Sequence, residues 1–299
     1  MEALIDMHSS PSSRGASGTL QTVMTPAPVI IDRDATLDQA LAILENYGFR
    51  HLPVVECNRV IGILSDRDLR LSTAMLSSAR RLRDRKGRKL PGAERVFEVM
   101  RAPVHCLPLD ATPSQAARDM VAREIGAIPV VDGECLVGIV TETDLLRLFL
   151  ERCRSSHGRC DDLTRYHMHQ PLGCVVPEMS VEEALDALDR KIGHAGVVQD
   201  GRLVGIVAER DLRVGLARAM IKDARAQSEG RIEDVSMRVR QVMTERIVDI
   251  EPGTPLSCCA GRMLDAHISA LPVSEDGLPV GILTQRDILE YFAAITRVA

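Results

Sequence analysis

The chain lacks tryptophan, and its four Phe and three Tyr make up only 2% of 299 residues. So few rings leave little with which to stack single-stranded bases. A basic excess is also missing: 42 Asp and Glu outnumber 37 Lys and Arg, for a net charge of −5. A general nucleic-acid binder carries the opposite balance, so nucleic acid is not the expected partner. No run approaches the ~18 consecutive apolar residues of a membrane span. Segment 1–19, MEALIDMHSSPSSRGASGT, has no apolar signal-peptide core and is expected to be a mobile tail. The expected compartment is therefore the cytoplasm. The eight Cys form no secretory disulfide framework, and a reducing compartment keeps them as thiols. Cys106, Cys135 and Cys174 lie in or beside apolar runs, where a free Cys behaves as a small hydrophobe. Catalytic signatures are absent too. There is no nucleophile–base pair, no Gly-rich phosphate loop and no metal-protease motif, so no enzyme activity is expected.

What is present is a globular composition, 45% hydrophobic and 26% charged, organised by a repeat. Gly62, Gly138, Gly205 and Gly281 each follow an apolar residue and precede two more. Asp68, Asp144, Asp211 and Asp287 follow the four Gly at constant spacing, and Met24, Met100, Met168 and Met243 precede them. Asp68 and Asp211 are 143 residues apart, as are Asp144 and Asp287, so the duplicated unit is itself a pair of repeats. Each repeat reads as a short β run, an amphipathic helix, two β runs around a polar turn, and a second helix. In the first copy these are Val29–Ile31, the stripe Leu37, Ala40, Leu41, Leu44, the runs 51–55 and 60–64, and a helix from Asp66. A single β-α-β-β-α unit leaves one sheet face uncovered, so two should pack together.

MTPAPVIIDRDATLDQALAIL…RHLPVVECNRVIGILSDRDL, with its three counterparts, resembles a cystathionine-β-synthase (CBS) domain over about residues 20–296. The resemblance implies an α/β fold of four β-α-β-β-α CBS motifs packed as two pseudo-twofold pairs, or Bateman modules. The layout is similar to that of the γ-subunit of AMP-activated protein kinase. The expected divisions are pair 1 at 20–152 (motifs about 20–76 and 96–151), a connector at 153–162, and pair 2 at 163–299 (motifs about 163–220 and 238–296). The two pairs are expected to meet in a disc, within one chain or through a homo-oligomer. By the same resemblance the chain is a regulatory protein that takes an adenosyl ligand in clefts between paired motifs and signals to a protein target. That ligand would be AMP, ADP, ATP or S-adenosylmethionine.

The candidate ligand residues are the hydroxyl–carboxylate pairs Ser65 and Asp68, Thr141 and Asp144, and Thr284 and Asp287. The resemblance gives the carboxylate to ribose hydroxyls, and charge-assisted bonds of that kind are strong. The same spacing is equally a helix capping box. The third copy has Ala208 in place of the hydroxyl yet keeps Asp211, so its site departs from the pattern. Arg67, Arg210 and Arg286 sit one residue before three of the four Asp, and Arg50 and His51 precede Leu52-Pro53. All five are candidate phosphate partners, with His194 at the position of His51 in the third copy. Ile30, Leu52 and Ile63 are either a wall for the base or plain core.

Two features lie outside the repeat. Arg80 to Lys89 is strongly basic and reads as a solvated helix face or linker, or as an anion or partner-docking patch. Cys153, His157, Cys160, His167, His169 and Cys174 cluster between the pairs. They offer a metal or redox sensor as an alternative function, although Ser155, Ser156 and Gly158 disfavour one continuous helix through them. No metal site is assigned. A further alternative is a scaffold or oligomerisation module with empty clefts.

Overall fold

A computed structural model describes residues 18–57, 59–69, 72, 95–156, 161–189, 192–228 and 236–296. Most of segment 1–19, the basic run Arg80 to Lys89, His157 and Cys160 lie outside the described residues. The first repeat holds β1 (Thr25–Pro26), β2 (Ile31–Asp32), α1 (Leu37–Tyr47), β3 (His51–Glu56), β4 (Arg59–Ser65) and the helical residues 66–69, α2. The second holds β5 (Leu107–Pro108), α3 (Pro113–Arg123), β6 (Ala127–Asp132), β7 (Cys135–Thr141) and α4 (Glu142–Ser155). In the third are β8 (Cys174–Val175), α5 (Val181–Ala187), β9 (His194–Gln199), β10 (Arg202–Ala208) and α6 (Glu209–Ser228). The fourth has α7 (Leu256–Ala266), β11 (Ala270–Glu275), β12 (Leu278–Thr284) and α8 (Gln285–Ile295). The fold is the α/β architecture of four repeated units that the sequence implies.

Local chemistry sets the boundaries. Thr36 and Gln39 form a capping box on α1, and Gly48 closes that helix at φ 67°, a left-handed turn that glycine adopts without a Cβ penalty. Thr112 caps α3 with Pro113 at its first position, and Ser180 with Glu183 caps α5. Each hairpin carries a bulge at the same place, at Val54/Val55, Val130/Val131, Leu203/Gly205 and Val273/Ser274. The extra residue twists the pair locally.

The repeats of a pair exchange their opening segments. Leu20, at the head of the first repeat, is fully buried in the core of the second, and its N–H donates to Ala111 O at 2.7 Å. Val96, at the head of the second, is buried in the core of the first, and its N–H donates to Ala35 O. Thr164 and Val239 repeat the exchange in the other pair, bonding Thr254 O and Met179 O. The recurrent methionines follow. Met100 lies over Gly62, Met24 over Gly138, Met243 over Gly205 and Met168 over Gly281. A Cβ on Gly62 would sit 2.6 Å from Met100 Sδ, so any larger residue there displaces the neighbour's methionine. The Met and Gly that recur within one repeat in sequence thus meet across two repeats in space.

The four units do not share one core. The second and fourth form a continuous core built on Phe149, Met120, Leu145, Leu146, Phe292 and Ile288. Phe149 meets Phe292 edge-on at 6.3 Å between ring centres, and Arg152 lies over the Phe292 ring. The first and third repeats keep separate cores, around Leu44, Leu52 and Leu64 and around Val197, Val207 and Leu212. Leu52 is thus core packing rather than a wall for a ligand base.

Candidate functional site

Each repeat ends its hairpin at the start of a helix, and the candidate Asp stands in that first turn. Ser65 Oγ donates to Asp68 Oδ2 at 2.6 Å and accepts the Asp68 N–H. Thr141 donates from Oγ1 (2.6 Å) and from its backbone N–H (2.9 Å) to Asp144 Oδ2. Thr284 does the same to Asp287 Oδ2, at 2.8 and 2.6 Å. Each of these hydroxyls is occupied as a helix cap, and one carboxylate oxygen is consumed by it.

What meets the remaining carboxylate capacity differs from repeat to repeat. The exchanged segments run antiparallel to the final strands in a common register: Thr25 opposite Ile139, Arg101 opposite Ile63, His169 opposite Ile282 and Thr244 opposite Ile206. In two repeats the residue after the Met reaches the partner repeat's Asp. Arg101 Nε donates to Asp68 Oδ2 at 3.2 Å, and His169 Nε2 lies 2.8 Å from Asp287 Oδ1. Asp144 Oδ1 instead takes Arg147 from its own helix, and Asp211 Oδ1 takes its neighbour Arg210.

Asp211 is the outlier. Ala208 offers it no hydroxyl, and its side chain is 34% exposed, against 7% for Asp287. It opens onto a cleft of about 460 Å³ lined by Asp66, Arg210, Asp211, Arg218 and Gln241, with Val214, Val242 and Met243 as the apolar part. Three structural contributions meet there: α6, the fourth repeat's opening segment, and α2 from the other pair.

The basic candidates gather where the four repeats converge. Arg50 Nη2 donates to His267 O at 3.1 Å, joining the first repeat to the fourth. His51 lies against Gly126 of the second repeat, in the neighbourhood of Glu142. Burial, helped by the Arg50 charge, pushes the His51 imidazole down to about 4 and keeps it neutral. Burial raises the Glu142 carboxyl, with Arg286 and Arg50 offsetting part of that. His194 is likewise lowered by burial, and its Nδ1 bonds Ile192 O at 3.0 Å. Arg67 is engaged across the pairs: its Nη2 donates to Glu209 Oε2 at 2.6 Å, and Arg213 holds the other oxygen at 2.6 Å. Burial alone would raise Glu209, but the two guanidinium groups outweigh it and hold the carboxyl below its ordinary value. Sequence reasoning missed Glu209, Gln241 and the Asp66 carboxylate, which join the site through contacts between repeats, and Arg218, which the three-and-four spacing of α6 puts on one face with Asp211 and Val214.

The inter-pair Cys/His side chains are individually engaged. His167 bonds Asp162 at 2.9 Å and packs on Tyr291, His169 bonds Asp287, and Cys153 is buried in the core. Among the described residues no three His, Cys, Asp or Glu side chains group as a metal site, and the seven described Cys are free thiols. Cys135 and Cys174 are exposed rather than packed. No helix of the described residues is long and apolar enough to cross a membrane.

Comparison with known proteins finds the same architecture. MJ1225 of Methanocaldococcus jannaschii is 28% identical over 264 residues, covering 86% of this chain and 92% of that protein. A 33.4 kDa protein encoded in a ribosomal RNA operon of Thermofilum pendens is 26% identical, with 88% and 87% covered. The crystal structure of MJ1225, put forward as an archaeal homolog of γ-AMPK, superposes with a TM-score of 0.71 at 22% identity, over 92% of this chain and all of that one. A Pyrococcus horikoshii structure gives 0.59 at 22%, over 91% and 99%. At those identities the likeness is one of fold. The CBS domain family matches residues 20–72, 96–151, 161–218 and 239–294, so this chain belongs to the CBS domain family and carries four such domains.

Proposed function

We propose that the chain is a non-catalytic regulatory protein that binds an adenosyl ligand between paired CBS domains and passes the resulting change to a protein partner. The observation that carries this reading is the third repeat. Its Asp211 has no capping hydroxyl to serve, is the most exposed of the four carboxylates, and faces an open cleft with Arg210 and Arg218. A carboxylate can accept both hydroxyls of a ribose, and the two arginines suit phosphate or carboxylate groups. The layout of MJ1225, put forward as a γ-AMPK homolog, supports a sensor without chemistry of its own. A ligand that prefers one arrangement of the repeats shifts them by no more than that preference. Arg50, His51, Arg67 and Arg286 at the converging ends, with Ser65, Asp68, Thr141 and Asp144, extend the proposed set; Thr284 and Asp287, whose polar atoms bond one another and His169, are the equivalent positions of the fourth repeat. A cytoplasmic location and assembly into a homo-oligomer belong to the same proposal.

The test is a thermal-shift panel of AMP, ADP, ATP, S-adenosylmethionine, NAD and cyclic dinucleotides. Ligand at a hundredfold excess over Kd contributes about 2.7 kcal/mol, which raises Tm by several degrees. At least one adenosyl compound should do so, and Asp211→Asn should remove most of the rise. The scaffold reading is favoured by the capping boxes at Thr141 and Thr284, which are complete without any ligand. No response to any compound would decide for it.

A further inference from the structure

We infer that His169 shuts the fourth repeat's cleft, so that an adenosyl ligand enters at Asp211 and is kept out at Asp287. This rests on the function proposed above and adds how the clefts are told apart. All the bonding at Asp287 is internal. Oδ2 accepts the Thr284 N–H and hydroxyl, and Oδ1 accepts the His169 ring N–H at 2.8 Å. With its side chain 7% exposed and three of about four acceptor sites filled, the carboxylate offers little to a ribose diol. Displacing the His169 side chain, itself 45% exposed, would leave the buried carboxylate without that partner.

The imidazole is delivered by the exchanged segment, not by the fourth repeat itself. The bridge between His169 and Ile282 has backbone bonds in both directions, at 2.9 and 3.1 Å, which fix the backbone from which the ring reaches Asp287. The same register puts Thr244 opposite Ile206, the place that His169 holds opposite Ile282. Threonine there is short, and Asp211 stays open to the cleft. One position, read against two acids of the same pair, thus separates an open cleft from a closed one. Arg101, at that register in the first pair, is a weaker stop: it reaches Asp68 at 3.2 Å and is itself more than half exposed.

Titration calorimetry with AMP, ATP and S-adenosylmethionine tests this on the full chain. Asp211→Asn should weaken wild-type binding at least tenfold, while Asp287→Asn leaves it within about twofold. His169→Thr should add one ligand per chain, and His169→Thr with Asp287→Asn should lose that ligand again. Thr244→His, which sets an imidazole at the register that His169 holds, should weaken wild-type binding at least tenfold; this position is exposed, so the variant remains informative even if the His169 variant melts. Wild-type binding that depends on Asp287, an unchanged stoichiometry in a folded His169→Thr chain, or full binding in Thr244→His overturns the inference and leaves the adenosyl reading intact. If neither the wild type nor any variant binds these compounds, the proposed function falls with it.

Discussion

At His51 a single side chain records how tightly the repeats converge. Its imidazole is neutral at pH 7 because burial and the Arg50 charge push it down to about 4. The unfolded chain restores an ordinary value near 6.5. Between those limits the unfolded state binds the extra proton, so stability is full above pH 6.5, falls as pH drops toward 4, and levels off below. The loss attached to His51 is on the order of 3 kcal/mol. His194 is displaced in the same direction and adds to it. Urea unfolding at pH 7.5 and pH 5 should show a drop that His51→Gln reduces by more than half. The hydroxyl–acid pairs are legible in the sequence because their partners lie three residues apart. His169 with Asp287 is not, since 118 positions separate them and only the fold supplies the meeting. On the sequence pattern alone, Ala208 weakens the third site. In the structure Asp211 has no capping hydroxyl, bonds its neighbour Arg210 instead, and lines a cleft.

Among elements, the exchanged segments explain why four glycines recur. The three atoms nearest a Cβ on Gly138 all belong to the Met24 side chain, whereas a Cβ on Gly281 would meet His169 O of the backbone at 2.7 Å. The two positions therefore respond differently. Gly138→Ala and Gly281→Ala should each cost about 1–3 kcal/mol. Met24→Ala should recover part of the first loss, giving a coupling of about 0.5–3 kcal/mol in a double-mutant cycle. Met168→Ala should recover little of the second, because a carbonyl cannot be trimmed. Chemical denaturation of the four single and two double variants reads both cycles. The strands, helices and caps are legible from alternation, three-and-four spacing and capping residues. The exchange is not, because a methionine keeps the same spacing from its own glycine whether it covers that one or its neighbour's.

For the whole molecule, the second and fourth repeats are fused by one core, and among the described residues the first and third are joined by the Arg67–Glu209 ion pair. Phe149 and Phe292 stand five residues after Asp144 and Asp287, whereas Thr73 and Leu216 hold those places in the other two repeats. That contrast is a sequence signal of which repeats meet, masked because the repeats look alike in every other respect. Phe149→Ala should cost about 3–5 kcal/mol. Arg67→Ala removes a partner from Glu209 that is itself partly exposed, and should cost only about 1 kcal/mol. Hydrogen exchange by mass spectrometry should show Arg67→Ala raising exchange in β9, β10 and β3 while α3, α4 and α8 keep wild-type protection. Equal protection loss in all of them would mean that the four repeats open as one body. The borrowed opening segments have one more effect. Scissors applied between neighbouring copies never cut cleanly: a fragment stopping at residue 94 keeps Gly62 bare of its lid and a Met24 with nowhere to sit. Two such fragments each hold what the other lacks, so the smallest self-sufficient portion of this chain is a couple, and a solitary half is driven to seek its twin.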